Sequence, residues 1–233
     1  PIFLGTDRKV VEMSSAEIRQ LRYLNKNHVR IDHPIHTLDQ VLEHLKGRCL
    51  INLDRCWWCW DKVFEAVRRH NMADQILFKS APEKQYVDQI AAQPEPFLYM
   101  PIIWYPEELP YVRASGANMV AVEFIGHSAD AAIMQKDFIT GLRKEGIACL
   151  ISALTLGNPV VDPEKLKAKW AAAGSRMANA LVNGNIYLAA GHDDDTSILG
   201  HPEDGWGWLV RQGFNIIQTD WTMPLAHYLG RRF

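Results

Sequence analysis

Four charged side chains stand at the ends of apolar runs in this 233-residue chain. Asp54 closes Leu50-Ile51-Asn52-Leu53, Lys79 closes Ile76-Leu77-Phe78, Glu123 follows Val120-Ala121-Val122, and Asp220 closes Asn215 to Thr219. A carboxylate in such a run costs free energy unless it is paired or bound to a metal. Asn52 and Asp54 are two residues apart, so in a strand both face the same side. A single charged residue can simply mark the exit of its strand to solvent. Four from four strands are better explained by convergence on one mouth.

The elements that must position these residues alternate. Strand patterns are expected at 49–53, 76–79, 97–103, 120–124, 147–154 and 215–220. Helical patterns are expected at 58–69, 83–92, 106–115, 131–145, 163–181, 203–212 and 223–229. Near-continuous apolar strands between helices indicate a parallel sheet covered by helices. The strand spacing is close to the roughly 31 residues per unit of a (β/α)8 barrel. A doubly wound open sheet is the rival, but its glycine-rich G-x-G-x-x-G turn is absent from the sequence. The expected fold is therefore α/β, a TIM-type (β/α)8 barrel with about six of its eight strands in this chain. Residues 1–233 are read as a single domain. Active sites of such barrels lie at the C-terminal ends of the strands, where Asp54, Lys79, Glu123 and Asp220 fall.

Composition narrows the function classes. The chain is 48% hydrophobic and 22% charged with a formal charge of −2, which argues against nucleic acid or an anionic membrane as the main partner. No apolar run approaches the ~18 residues of a membrane span. Four cysteines, Cys49, Cys56, Cys59 and Cys149, are too few for a disulfide scaffold. Cys56-x-x-Cys59 can be a redox pair or half of a zinc site, but no second CxxC or His-x3-His completes a tetrahedral set. Packing thiols are the expectation.

Pro34-Ile35-His36-Thr37-Leu38-Asp39-Gln40-Val41-Leu42 followed by Leu50-Ile51-Asn52-Leu53-Asp54 resembles the glycerophosphodiester phosphodiesterase family, where a helix start precedes a strand ending in an acid. Trp206-Gly207-Trp208-Leu209-Val210 with Gly213 to Asp220 is similar to that family's closing "G-x-D-x-I-x-TD-x-P". Ile76 to Ser80 and Met100-Pro101-Ile102 resemble a bacterial branch. The resemblance runs from about Val10 to Leu229. It implies metal-dependent hydrolysis of glycerophosphodiesters to glycerol 3-phosphate and an alcohol, with Ca2+ or Mg2+ bridging the phosphate and two histidines as general acid and base. It makes Asp54 a metal ligand, with Asn52 a layer below and Trp57, Trp58 or Trp60 walling the site or covering the sheet.

The departures from that family are specific. Its HRG at the end of the first strand, the ExD pair of its second strand and the HD that follows that pair have no counterpart here. The expectation is that a piece of about two barrel units, roughly 60 residues, precedes Pro1; the other reading is a degenerate relative. Cys56 stands where the family has a lysine, and Lys79 on the next strand can supply the charge toward phosphate or be a surface lysine. Glu123 is assigned to the substrate site. His127, four residues after Glu123, is the substitute acid or base, against the blander reading of a solvated loop histidine. Trp221, near the rim, can pack on a substrate headgroup or cap the barrel. Gly191-His192-Asp193-Asp194-Asp195-Thr196 lacks the periodicity of a calcium loop and is expected to be solvated. Two functional readings from different classes follow: a hydrolase acting on a small phosphodiester, and an inactive barrel kept as a binding or assembly module. A lyase-type relative forming a cyclic product is a third. Headgroup, oligomeric state and compartment are left open.

Overall fold

The computed structural model describes residues 4–25, 27–157, 163–172, 176, 178, 181–182 and 185–231. They divide into two compact units, Pro1–Ile51 with Cys59–Gln75, and Asn52–Trp58 with Ile76–Phe233.

The smaller unit holds α1 (Ser15–Gln20), the antiparallel pair β1 (Arg22–Leu24) and β2 (Arg30–Pro34), α2 (Leu38–Leu45) and α3 (Trp60–His70). Local chemistry explains the helix starts. Ser14 accepts from Glu17 N while Glu17 accepts from Ser14 N, and Thr37 and Gln40 repeat this reciprocal cap before α2. Helix α3 buries Trp60, Val63, Phe64 and Val67 at helical spacing. Asp39 of α2 accepts from Arg69 and His70 of α3, and those contacts hold its carboxyl below the usual range.

The larger unit carries the alternation read from the sequence. Its sheet runs β3 (Ile51–Leu53, of which Asn52 and Leu53 belong to this unit), β4 (Ile76–Ser80), β5 (Leu98–Ile103), β6 (Ala121–Phe124) and β7 (Ala148–Ser152). Helices α4 (Lys84–Ala91), α5 (Leu109–Ala114) and α6 (Lys136–Lys144) fall between these strands. After β7 come β8 (Thr155–Gly157), α7 (Pro163–Ala172), β9 (Leu181–Val182), β10 (Asn185–Tyr187), α8 (Asp194–Ile198), α9 (Trp206–Gln212), β11 (Ile216–Gln218) and α10 (Thr222–Tyr228). The order across the six-stranded sheet is β11-β7-β6-β5-β4-β3. The registered pairs from β4 to β7 and β11 are parallel. This is the six-stranded α/β sheet of the (β/α)8 type that the sequence predicts.

Register decides which residues share a face. Lys79 is opposite Met100, Ile102 opposite Glu123, Glu123 opposite Leu150, and Ser152 opposite Gln218. Alternate strand residues share a face, so Lys79, Ile102, Glu123, Ser152 and Gln218 lie on one face, as a tier staggered from strand to strand. The tier one step earlier along each strand, Leu77, Met100, Ala121, Leu150 and Ile216, is apolar and packed together. On the opposite face Val122, Phe124, Cys149 and Ile151 pack with Ile139 and Leu142 of α6 and Leu209 of α9. Both faces of the central strands are therefore buried, which is why those strands read as continuous apolar runs.

Several expectations are revised. The strand expected from Cys49 is only Ile51–Leu53 and lies at a sheet edge, so Asn52 is exposed rather than layered beneath Asp54. The helix expected over 163–181 is described to Ala172, and Leu181 belongs to a strand. A small antiparallel sheet, β8-β10-β9, was not foreseen. Its strands have two or three residues, too short for a period of two to register. Of the cysteines, only Cys149 is buried, its thiol pushed up to about 12 by burial; Cys49 and Cys59 are exposed.

Candidate functional site

The polar tier opens into a cavity of about 600 Å3 in the larger unit. Lys79, buried at the end of β4, donates to Glu123 Oε2 of β6 at 2.7 Å. The same ammonium lies 3.2 Å from Asp54 Oδ1, just beyond β3. The side chains of Lys79 and Glu123 are 3% and 7% exposed, while that of Asp54 is 47% exposed. The arrangement is thus a buried ion pair with a second carboxylate at its solvent side. Burial pushes the Glu123 carboxyl above its usual range, against the pull of the Lys79 ammonium; the nearby Asp54 charge adds to the rise and Arg55 opposes it.

The apolar tier below explains why this pairing is obligatory. Nothing in that layer can donate or accept, so each charge needs its partner in its own tier. Removing one member of such a buried pair costs about 3–5 kcal/mol. An ammonium has three N–H donors. Two account for the contacts with Glu123 and Asp54, which leaves one for a ligand oxygen.

Other walls supply cation and aromatic surface. Arg55 and Arg176 line the cavity, as does Glu83; Arg176 also pairs with Glu108. Arg55 has φ = 52°, left-handed backbone that a non-glycine residue adopts at a cost. Trp57 and Trp58, set edge to face with centroids 5.2 Å apart, line the mouth together with Trp104 and Leu188. Leu188 reaches the wall because its carbonyl accepts from Gly126 N at 2.8 Å. A Cβ at Gly126 would force the buried Met134 side chain to move.

The residues singled out from sequence divide clearly. Asp54, Lys79 and Glu123 come together, and Trp57 and Trp58 wall the cavity. Trp60 does not: it is buried in α3 against Phe64. His127 stacks on Trp104 with centroids 6.5 Å apart but does not line the cavity, and its buried Nδ1 has no hydrogen-bond partner among the described residues. Trp221 is 45% exposed and also lies outside the lining. Asp220 is exposed, and the strand-end position facing the cavity on β11 belongs to Gln218.

The acidic loop is not a solvated loop. Asp193 caps α8, accepting from Thr196 N and from Thr155 Oγ1, and is buried. Asp194, 3% exposed, accepts from Trp206 Nε1 at 2.7 Å, Thr219 Oγ1 at 2.7 Å and Asp220 N at 3.0 Å. Only Asp195 of the three acids is exposed. The correction has a simple cause: a run of acids looks solvated until the donors that meet it, here from elements near residues 206 and 219, are in place.

Sequence reasoning did not single out Arg55, Trp104, Ser152, Arg176 or Gln218 as lining residues. For Ser152 and Gln218 the signal that found Glu123, a polar residue in an apolar run, was present as well.

The oxygens of Asp54 and Glu123 are of the kind Ca2+ or Mg2+ prefers, but the cation they meet is the Lys79 ammonium. Among the described residues no group of three or more histidine, cysteine, aspartate or glutamate side chains is placed to hold a metal ion. The described donor set does not fit a divalent-cation cage.

Comparison with known proteins bears on the class. A family described as a domain of unknown function matches residues 161–229. A solved structure of a glycerophosphoryl diester phosphodiesterase from Parabacteroides distasonis is similar with a TM-score of 0.64. The similarity covers 98% of this chain and 67% of that one, at 12% identity. No curated protein sequence matches. The likeness is one of fold, an α/β sheet of the TIM-barrel type. Among the described residues no helix is long and apolar enough to cross a membrane.

Proposed function

We propose that the cavity is a phosphodiester site and that the chain acts as a hydrolase on glycerophosphodiesters. The observation that carries this reading is the Lys79 ammonium, held in place by Glu123 and Asp54 at the ends of the strands, at the wall of a cavity large enough for a small organic phosphodiester. A fixed ammonium in a water-poor tier stabilises negative charge on phosphoryl oxygens more than a mobile one would. Arg55 and Arg176 add charge at the walls, and Trp57 and Trp58 offer faces to the alcohol or headgroup. Asp54, with one side toward solvent, is the carboxylate placed to meet the attacking water.

The test is phosphorus NMR with glycerophosphocholine. Conversion to glycerol 3-phosphate supports the hydrolase, and a cyclic phosphate would identify a lyase. Asp54→Asn should abolish turnover with thermal stability near wild type, because its side chain is half exposed; normal turnover would reject Asp54. A second reading, a binding module, is favoured by the lack of a histidine among the described lining residues. Saturable line broadening without conversion would establish it.

A further inference from the structure

Two buried polar atoms in the cavity lining play no part in the charge cluster. Ser152 Oγ and Gln218 Oε1 are each buried without a hydrogen-bond partner among the described residues. Ser152 is 2% exposed. They are not scattered: Gln218 is registered directly opposite Ser152 across the parallel pair β11–β7, and both line the cavity.

We propose that Ser152 and Gln218 form a subsite for two neighbouring hydroxyl groups of the ligand, a statement that rests on reading the cavity as a phosphodiester site. Buried polar groups are nearly always hydrogen-bonded, and leaving one unpaired destabilises the fold. Two such atoms, on adjacent strands and on residues that line one cavity, are what a site holds when the ligand supplies the partners. The chemistry of the pair specifies that ligand. The Gln218 carbonyl oxygen only accepts, so it needs an O–H or N–H. The Ser152 hydroxyl both donates and accepts. Strands lie about 4.8 Å apart, a separation that two adjacent hydroxyls span. An anion is disfavoured opposite a carbonyl oxygen, so the phosphate belongs with Lys79, on strand β4, and the hydroxyls with β7 and β11. Leu150 and Ile216 beneath the pair offer no competing partner.

The hydroxyls can come from the glycerol of a glycerophosphodiester or from a cyclic polyol headgroup. Isothermal titration calorimetry on the full chain separates these sources. The probes are glycerophosphocholine, propylphosphocholine (the same diester without the diol), and the methyl phosphodiester of myo-inositol. Each is titrated into wild type, Ser152→Ala and Gln218→Met. Wild type should bind a diol-bearing probe at least about tenfold tighter than propylphosphocholine; the preferred one, glycerol or inositol, identifies the source. Both substitutions should erase that preference. A preference that survives both, or a wild type that binds all three equally, overturns the subsite while leaving the phosphodiester reading standing. If no diester binds, free glycerol and myo-inositol are tested by thermal shift. A stabilisation that Gln218→Met abolishes keeps the polyol subsite and rejects the phosphodiester reading. No shift rejects both.

Discussion

Two acids, Glu123 in an apolar run and Asp194 in a run of three acids, are both buried, and burial raises both carboxyls above their usual range. They are satisfied in opposite ways. Glu123 is met by one cation, the Lys79 ammonium, at the wall of a cavity. Asp194 is met by three neutral donors from two later segments, and all of its described contacts are internal. The first arrangement leaves a donor for something else; the second consumes its acceptor capacity in tying α8 to the start of α9 and the end of β11. A charge answered by a charge beside a cavity points toward chemistry. A charge answered by backbone and side-chain donors is a clamp.

The sharpest way to break this contrast is Lys79→Met. Unfolding in urea should show a loss of about 3–5 kcal/mol near pH 8, together with loss of phosphodiester binding. The loss should shrink as pH falls. Glu123 keeps its proton to higher pH when folded than its ordinary value of 4.5, so the associated stability is full below that value and declines as pH rises through the folded one. A pH-independent deficit would remove Glu123 from the explanation.

Next in size is Asp194→Ala, expected to cost about 3 kcal/mol because three donors lose their acceptor. Ligand affinity measured by calorimetry should stay within about twofold of wild type, since Asp194 does not line the cavity. A large affinity change with little stability loss would place Asp194 with the site rather than with the frame.

The smallest expected effect is Arg55→Gly. Relief of the left-handed backbone at φ = 52° should stabilise the fold by about 1 kcal/mol, read as a raised urea midpoint. The lost guanidinium at the cavity wall should weaken phosphodiester binding. Stability and affinity moving in the same direction would show that the Arg55 conformation is not held for the site.

Much of this molecule is written locally. Alternation of apolar strands with helices is visible because both faces of β4 to β7 are covered, and Ser14/Glu17 and Thr37/Gln40 set helix starts within four residues of sequence. The placement of Asp54, Lys79 and Glu123 at strand ends was legible for the same reason: a charge in an apolar run must find an exit or a partner. What could not be read locally were the partners. The Lys79–Glu123 bond joins residues 44 positions apart, and the Asp194 clamp reaches 25 and 26 positions ahead. The facing of Ser152 and Gln218 depends on register between strands separated by the whole β8–α9 excursion. Periodicity and capping are properties of neighbours along the chain, so sequence alone determined them. Register and hydrogen-bond satisfaction are properties of neighbours in space, and only the packed sheet decided whether a polar residue would become a clamp, an ion pair or an unpaired group in a cavity wall.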